Sequence, residues 1–158
     1  MMTFHFRAAP DIGTGHARRC AALAHALAEA GSGVSLIADA ATVDFARTYM
    51  PADAEFVTVD GSFDALQEAV ARQRPTCFVM DRYDVPQSLE AAVSGAVETL
   101  VVLDDFAGRA HHCDFLIDQN VGRSARDWQP VLPKEATILA GSAYALLRPE
   151  FVKARRRQ

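Results

Sequence analysis

The chain has 158 residues, half of them hydrophobic and 23% charged, with a formal net charge of −4. That composition suits one ordinary domain with its own core and excludes a disordered chain. The acidic balance argues against a general binder of nucleic acid or of anionic membranes.

Short apolar runs alternate with helical segments from end to end. Residues 3–7 read as the first strand. Residues 16–30 follow as a helix, with Cys20, Leu23, Ala24 and Leu27 on one face. Gly31 and Gly33 end it, as helix-terminal glycines commonly do. A second strand is predicted over 34–38, then a helix over 41–49 that stops before Pro51. Residues 55–59 form a third strand. Ser62 is placed to cap a helix running to about residue 72, with Phe63, Leu66 and Val70 on its buried side.

Residues 77–80 are a fourth strand. Residues 86–96 are a helix with Pro86 in its first turn. Residues 99–103 are the near-continuous apolar run of a strand buried on both faces. Residues 115–117 and 137–139 are further short strands, and a last helix starts at Pro149. Strands separated by helices imply right-handed crossovers, hence an α/β fold with a doubly wound, Rossmann-like parallel sheet.

Ligands of such sheets bind beyond the carboxyl ends of the strands. That rule selects four clusters: Gly13-Thr14-Gly15-His16, Asp81-Arg82-Tyr83-Asp84, Asp104-Asp105 and Asp118-Gln119-Asn120. Taken alone, each acidic pair is better explained by solvation or helix capping than by catalysis. The glycine turn is the most informative. It joins a strand to a helix start, where free N–H groups and partial positive charge suit a phosphate. A histidine there is disfavoured as imidazolium, and a neutral imidazole can take a proton from water. His16 therefore reads either as a base or as a residue that merely fills the turn.

Other chemistries fit less well. The dinucleotide fingerprint Gly-x-Gly-x-x-Gly is matched by Gly13 and Gly15, but Arg18 stands at its third glycine, with Asp39 as a candidate ribose acid. No Gly-Lys-Ser/Thr completes a phosphate-binding P-loop. Neighbouring residues in His111-His112-Cys113-Asp114 point to opposite sides of an extended chain, which disfavours a shared metal ion. The three cysteines, Cys20, Cys77 and Cys113, form no close pair and fit a reduced, cytoplasmic protein. No signal peptide or membrane-length apolar run is present. The basic run Lys153-Ala154-Arg155-Arg156-Arg157 reads as a solvated helix face or a truncation point rather than a binding patch.

Several of these segments together resemble a known family. Phe6-Arg7, Ile12 to His16 and Arg19-Cys20 look like the opening of the UDP-2,4-diacetamido-2,4,6-trideoxy-β-L-altropyranose hydrolases of pseudaminic acid biosynthesis. Asp81-Arg82-Tyr83 is similar to their Asp-x-Tyr motif. The runs from Asp104 to Arg109 and from His111 to Asn120 resemble their central signature, and the run from Gly141 to Phe151 resembles a later segment.

The resemblance implies the N-terminal half of a GT-B fold, kin to glycosyltransferases. The reaction it implies is hydrolysis of a UDP-sugar with inversion and without a metal or other cofactor. It assigns catalytic roles to His16 and Tyr83, and substrate contacts to Arg7, Gly13, Thr14, Gly15, Asp81, Asp105, Gln119 and Asn120. The turn Ala8-Ala9-Pro10-Asp11 is shorter than the family's and has Ala9 where an acid is common. A second domain, which carries most uridine contacts in the family, is not within these residues. A separate C-terminal half is thus an expected partner, and the chain alone is expected to bind a UDP-sugar poorly. A glycosyltransferase half and a non-catalytic sugar- or nucleotide-binding domain stay open as alternatives.

Overall fold

Strands buried on both faces need apolar side chains at successive positions, and this chain supplies them. Val34–Asp39 and Cys77–Asp81 are each buried almost throughout. In the computed structural model, described for residues 1–9, 13–147 and 151, these runs build one sheet. Its strands are β1 (Met2–Phe6), β2 (Val34–Asp39), β3 (Glu55–Val59), β4 (Cys77–Asp81), β5 (Thr99–Leu103), β6 (Phe115–Asp118) and β7 (Thr137–Ala140). The order is β3-β2-β1-β4-β5-β6-β7, with every pairing parallel.

Helices cover both faces. α1 (Gly15–Glu29) and α2 (Ala40–Ala46) pack on one side over Phe4, Phe6, Leu36 and Val79. α3 (Phe63–Gln73), α4 (Gln87–Ser94) and the short α5 (Ala125–Trp128) cover the other, over Ile37, Phe78, Leu100 and Leu116. The protein has the doubly wound, Rossmann-like α/β fold. From β1 the chain winds one way to β3, then returns to lay β4 on the other side of β1. Between β1 and β4 lies the topological switch point, where such sheets open a crevice.

All seven strands fall where the sequence places them, within a residue or two. The helices differ more. α2 ends at Ala46 and not at 49, because the backbone turns there: the N–H groups of both Tyr49 and Met50 donate to the Ala46 carbonyl. Pro86 is the N-cap of α4 and not a first-turn residue. Ser62 caps α3 as expected, accepting from the Ala65 N–H at 3.2 Å. The helix expected from Pro149 onward lies outside the described residues. α5 was not anticipated, although Ser124 and Asp127 form a reciprocal capping box. Its Trp128 is fully buried and donates its indole N–H to Asp118 Oδ2 at 2.9 Å.

Two backbone details shape the carboxyl ends. Asp39, weighed above as a ribose-binding acid, instead caps α2, accepting from the Thr42 N–H at 2.9 Å and the Thr42 hydroxyl at 3.0 Å. That occupies the carboxylate a dinucleotide would need. Gly141 sits at φ +105°, and a Cβ there would lie 2.9 Å from the Arg123 carbonyl oxygen. Glycine is required on both counts.

Behind the sheet ends, His5 is buried in β1. Its Nδ1 donates to the Ile37 carbonyl at 2.8 Å, and its Nε2 accepts from Arg82 at 3.2 Å. Burial, followed by the Arg82 charge, lowers this imidazole from 6.5 to about 4. A group with a depressed folded-state pKa contributes stability above its unfolded value and loses it as the pH falls through the folded one. Unfolding titrations between about pH 6.5 and pH 4 should therefore show His5 contributing up to about 3 kcal/mol of acid-side loss. A His5→Asn variant should have a shallower slope there, and an identical slope would refute the assignment.

Candidate functional site

The four polar clusters meet at one edge of the sheet. His16 enters from the first turn of α1, Asp81 and Tyr83 from the end of β4, Asp105 from the end of β5, and Gln119 and Asn120 from the end of β6. Gly15, His16, Arg19, Tyr83, Asp105 and Gln119 line a recess of about 150 Å³ at the switch point. The His16 side chain keeps 20% of its surface exposed, so the ring reaches the rim.

Asp81 organises the recess from beneath. Its carboxylate is wholly buried and accepts from four donors. His16 Nδ1 lies 2.7 Å from Oδ1, Arg19 Nε lies 2.6 Å from Oδ2, Arg19 Nη2 lies 2.5 Å from Oδ1, and the Cys20 thiol lies 3.4 Å from Oδ2. These three residues are spaced i, i+3, i+4 and so share one face of α1. Burial by itself would raise this carboxyl, but hydrogen bonds from Arg19 and then His16 overcome it and hold the group below the usual carboxylate range. Arg19, in turn, is held firmly protonated: desolvation works against its charge, but Asp81 and Asp105 outweigh it.

Arg19 extends the network outward. Its Nη1 donates to Asp105 Oδ2 at 2.6 Å, and its Nη2 reaches the Tyr83 hydroxyl at 3.2 Å. The Tyr83 hydroxyl donates to the same Asp105 oxygen. Burial and then the Asp105 carboxylate push this phenol up to about 12, so Tyr83 stays protonated. Its one proton is committed to Asp105 and one lone pair faces Arg19, which leaves an acceptor lone pair. The Tyr83 ring meets His16 at 4.9 Å between centroids.

The other residues expected to contact substrate stand as follows. Asn120 donates to Asp105 Oδ1 at 3.2 Å. Gln119 lines the recess but spends its Oε1 on the Leu146 N–H at 3.1 Å. Gly13 has φ +102°, and its N–H donates to the Ala9 carbonyl at 2.9 Å. Thr14 takes the N-cap position of α1 without a side-chain cap bond, and no acid stands in that first turn. The N-terminal end of α1, with its partial positive charge, thus lies beside the recess that Gly15 and His16 line. Arg7 stands exposed past β1, close enough for its charge to act on Asp39 and Asp84.

Asp81 and Asp105, singled out as substrate contacts, are engaged mainly with protein groups. Arg19 was not singled out for a role, although a basic residue on the apolar side of a helix, three positions after His16, is the pattern of a buried ion pair. His111 is turned away from the recess, toward Glu90 and Asp104. Among the described residues no cluster of His, Cys, Asp and Glu is arranged to hold a metal ion. Among them, too, no helix is long and apolar enough to cross a membrane.

No family model matches the chain. A curated protein from Campylobacter jejuni, UDP-2,4-diacetamido-2,4,6-trideoxy-beta-L-altropyranose hydrolase, is 27% identical over 73 residues. The match covers 46% of this chain and 27% of that protein. It supports a distant relationship to a nucleotide-sugar hydrolase.

Because Arg19 is buried, removing its main counterion should be costly. Asp81→Ala is expected to lower the unfolding free energy by about 3–5 kcal/mol, the usual cost of stranding one member of a buried pair. Denaturant unfolding measures it, and a loss below about 1 kcal/mol would contradict the network.

Proposed function

We propose that this chain carries the N-terminal half of the cleft of an inverting UDP-sugar hydrolase. The observation that carries the reading is the 2.7 Å contact between His16 Nδ1 and Asp81. An ionised carboxylate at Nδ1 keeps the proton there, which leaves Nε2 bare to act as a base toward the recess. Arg19 Nη2 also lies 3.3 Å from Nδ1, but a donor cannot bond a nitrogen that is itself donating. The carboxylate contact is the shorter and sets the tautomer.

In this reading a water molecule gives one hydrogen bond to the spare lone pair of Tyr83 and its other proton to His16 Nε2. The water oxygen bonds to the anomeric carbon. The bond from that carbon to the diphosphate oxygen breaks, and its electron pair leaves with UDP. Displacement from the far side inverts the centre. Such a centre develops positive charge as the bond breaks. Asp81 and Asp105 share one guanidinium, so the network keeps net negative charge beside it. The N-terminal end of α1, with its partial positive charge, suits the departing diphosphate.

The substrate proposed is UDP-2,4-diacetamido-2,4,6-trideoxy-β-L-altropyranose, on the strength of the distant relative's name and the motifs above. A second domain of GT-B type, on the same or a separate polypeptide, closes the cleft and holds the uridine. An apolar rim supports this: Phe106, Val121, Tyr144 and Leu147 are 60, 88, 43 and 57% exposed around the same edge.

Hydrolysis in ¹⁸O-labelled water with both halves present tests the reaction. The label should enter the sugar hydroxyl and not UDP; label in UDP would mean that a P–O bond breaks. His16→Ala should cut turnover by about 10²–10⁴-fold, the usual contribution of a general base, with the fold intact. Near-normal turnover would defeat the assignment.

A further inference from the structure

The His111-to-Asp114 motif takes no part in the recess, yet the structure gives it a connection to it. His111 is fully buried. Its Nδ1 lies 3.0 Å from Glu90 Oε1 on α4, and its Nε2 lies 3.3 Å from Asp104 Oδ2 just after β5. Both carboxylates are buried. Arg109 faces the same pair, with Nη2 2.9 Å from Glu90 and Nε 3.7 Å from Asp104. Cys113, whose thiol is pushed up to about 12 by burial and then by Glu90, stays protonated nearby. α5 contributes the uncharged Trp128 ring, 5.8 Å away.

A neutral imidazole has one donor and one lone pair. With a carboxylate at each nitrogen, the neutral ring would turn its lone pair on one of them; the cation hydrogen-bonds Glu90 through Nδ1 and pairs by charge with Asp104 through Nε2, 3.3 Å away without hydrogen-bond geometry. Burial opposes that charge, but Asp104 and then Glu90 outweigh it and raise this imidazole above its ordinary value.

Asp104 passes the contact on. Its Oδ1 accepts the Phe106 N–H at 2.7 Å. The Phe106 ring packs edge-on against Tyr83 at 5.1 Å, and the intervening Asp105 accepts the Tyr83 hydroxyl. Three consecutive residues therefore touch His111 at one end and Tyr83 at the other.

We propose that His111 is a positioning residue whose protonated ring clamps Asp104 to α4 and so holds the Asp105–Phe106 segment that fixes Tyr83. When the ring loses its proton, the clamp opens and the Tyr83 hydroxyl loses its fixed place. The direction follows from the raised pKa: the clamp is complete at lower pH and is lost as the pH rises through the folded-state value. The inference takes Tyr83 as part of the proposed site, but its test reads Tyr83 directly and is decided whether or not a UDP-sugar is turned over.

The test is ¹³C NMR of labelled tyrosine and histidine rings from about pH 5 to pH 9, a span that brackets an imidazole. The His16→Gln chain is used, so that the imidazole beside Tyr83 cannot cause the effect. Tyr83 is told from Tyr49 and Tyr144 by a Tyr83→Phe control. The Tyr83 signal should step at the pH where His111 itself titrates, and the step should vanish when His111→Gln is added. A flat Tyr83 signal while His111 titrates would overturn the proposal, as would a His111 that does not titrate in this span or a step that survives His111→Gln. The titration with His111 present decides the matter even if the double variant does not fold.

Discussion

A carboxylate with no access to water must find its hydrogen bonds inside the protein, and Asp81 is placed where it can find them all on one helix. His16, Arg19 and Cys20 reach it from successive positions along α1. That constraint docks α1 against β4, orients the His16 ring, and commits Arg19 to the sheet end. From Arg19 it passes to Asp105 and from there to Tyr83 and Asn120. The recess is therefore the upper surface of one connected polar network, and its shape depends on a carboxylate buried beneath it. Such networks are costly when half satisfied.

The topology explains why the network forms at this point. Winding outward from β1 in both directions leaves a gap between the helix after β1 and the loop after β4. Acidic residues end β2, β4 and β6, and two more follow β5. Each carries out a different task. Asp39 caps a helix, Asp81 and Asp105 bind Arg19, Asp104 faces His111, and Asp118 takes the indole N–H of Trp128. The adjacent pair Asp104 and Asp105 divides two networks, one facing the recess and one facing α4.

This division of labour also marks how far the sequence could be read. The strands are legible because burial on both faces demands continuous apolar runs such as Thr99–Leu103, and the turns because glycine and proline punctuate them. The strand-end rule then brings these polar clusters to one edge. What the local pattern does not carry is which polar group faces which. His16 and Asp81 are 65 positions apart, Arg19 and Asp105 86, and no periodicity links them. Hence the sequence does not show that Asp81 and Asp105 share the Arg19 guanidinium, or that Asp39, a candidate ribose acid only in the disfavoured dinucleotide reading, caps α2. α2 reads too long because its end is set by backbone bonds to the Ala46 carbonyl, which no side chain announces.

The central claim is that a buried negative charge decides which nitrogen of the histidine at the rim carries the proton. ¹⁵N NMR of the His16 ring tests it most directly, because the two nitrogens of a neutral imidazole give well-separated signals. With Asp81 intact, the proton should reside on Nδ1 and Nε2 should be bare; Asp81→Asn should abolish that preference. A neutral ring protonated at Nε2, or a proton distribution unmoved by Asp81→Asn, would contradict the account.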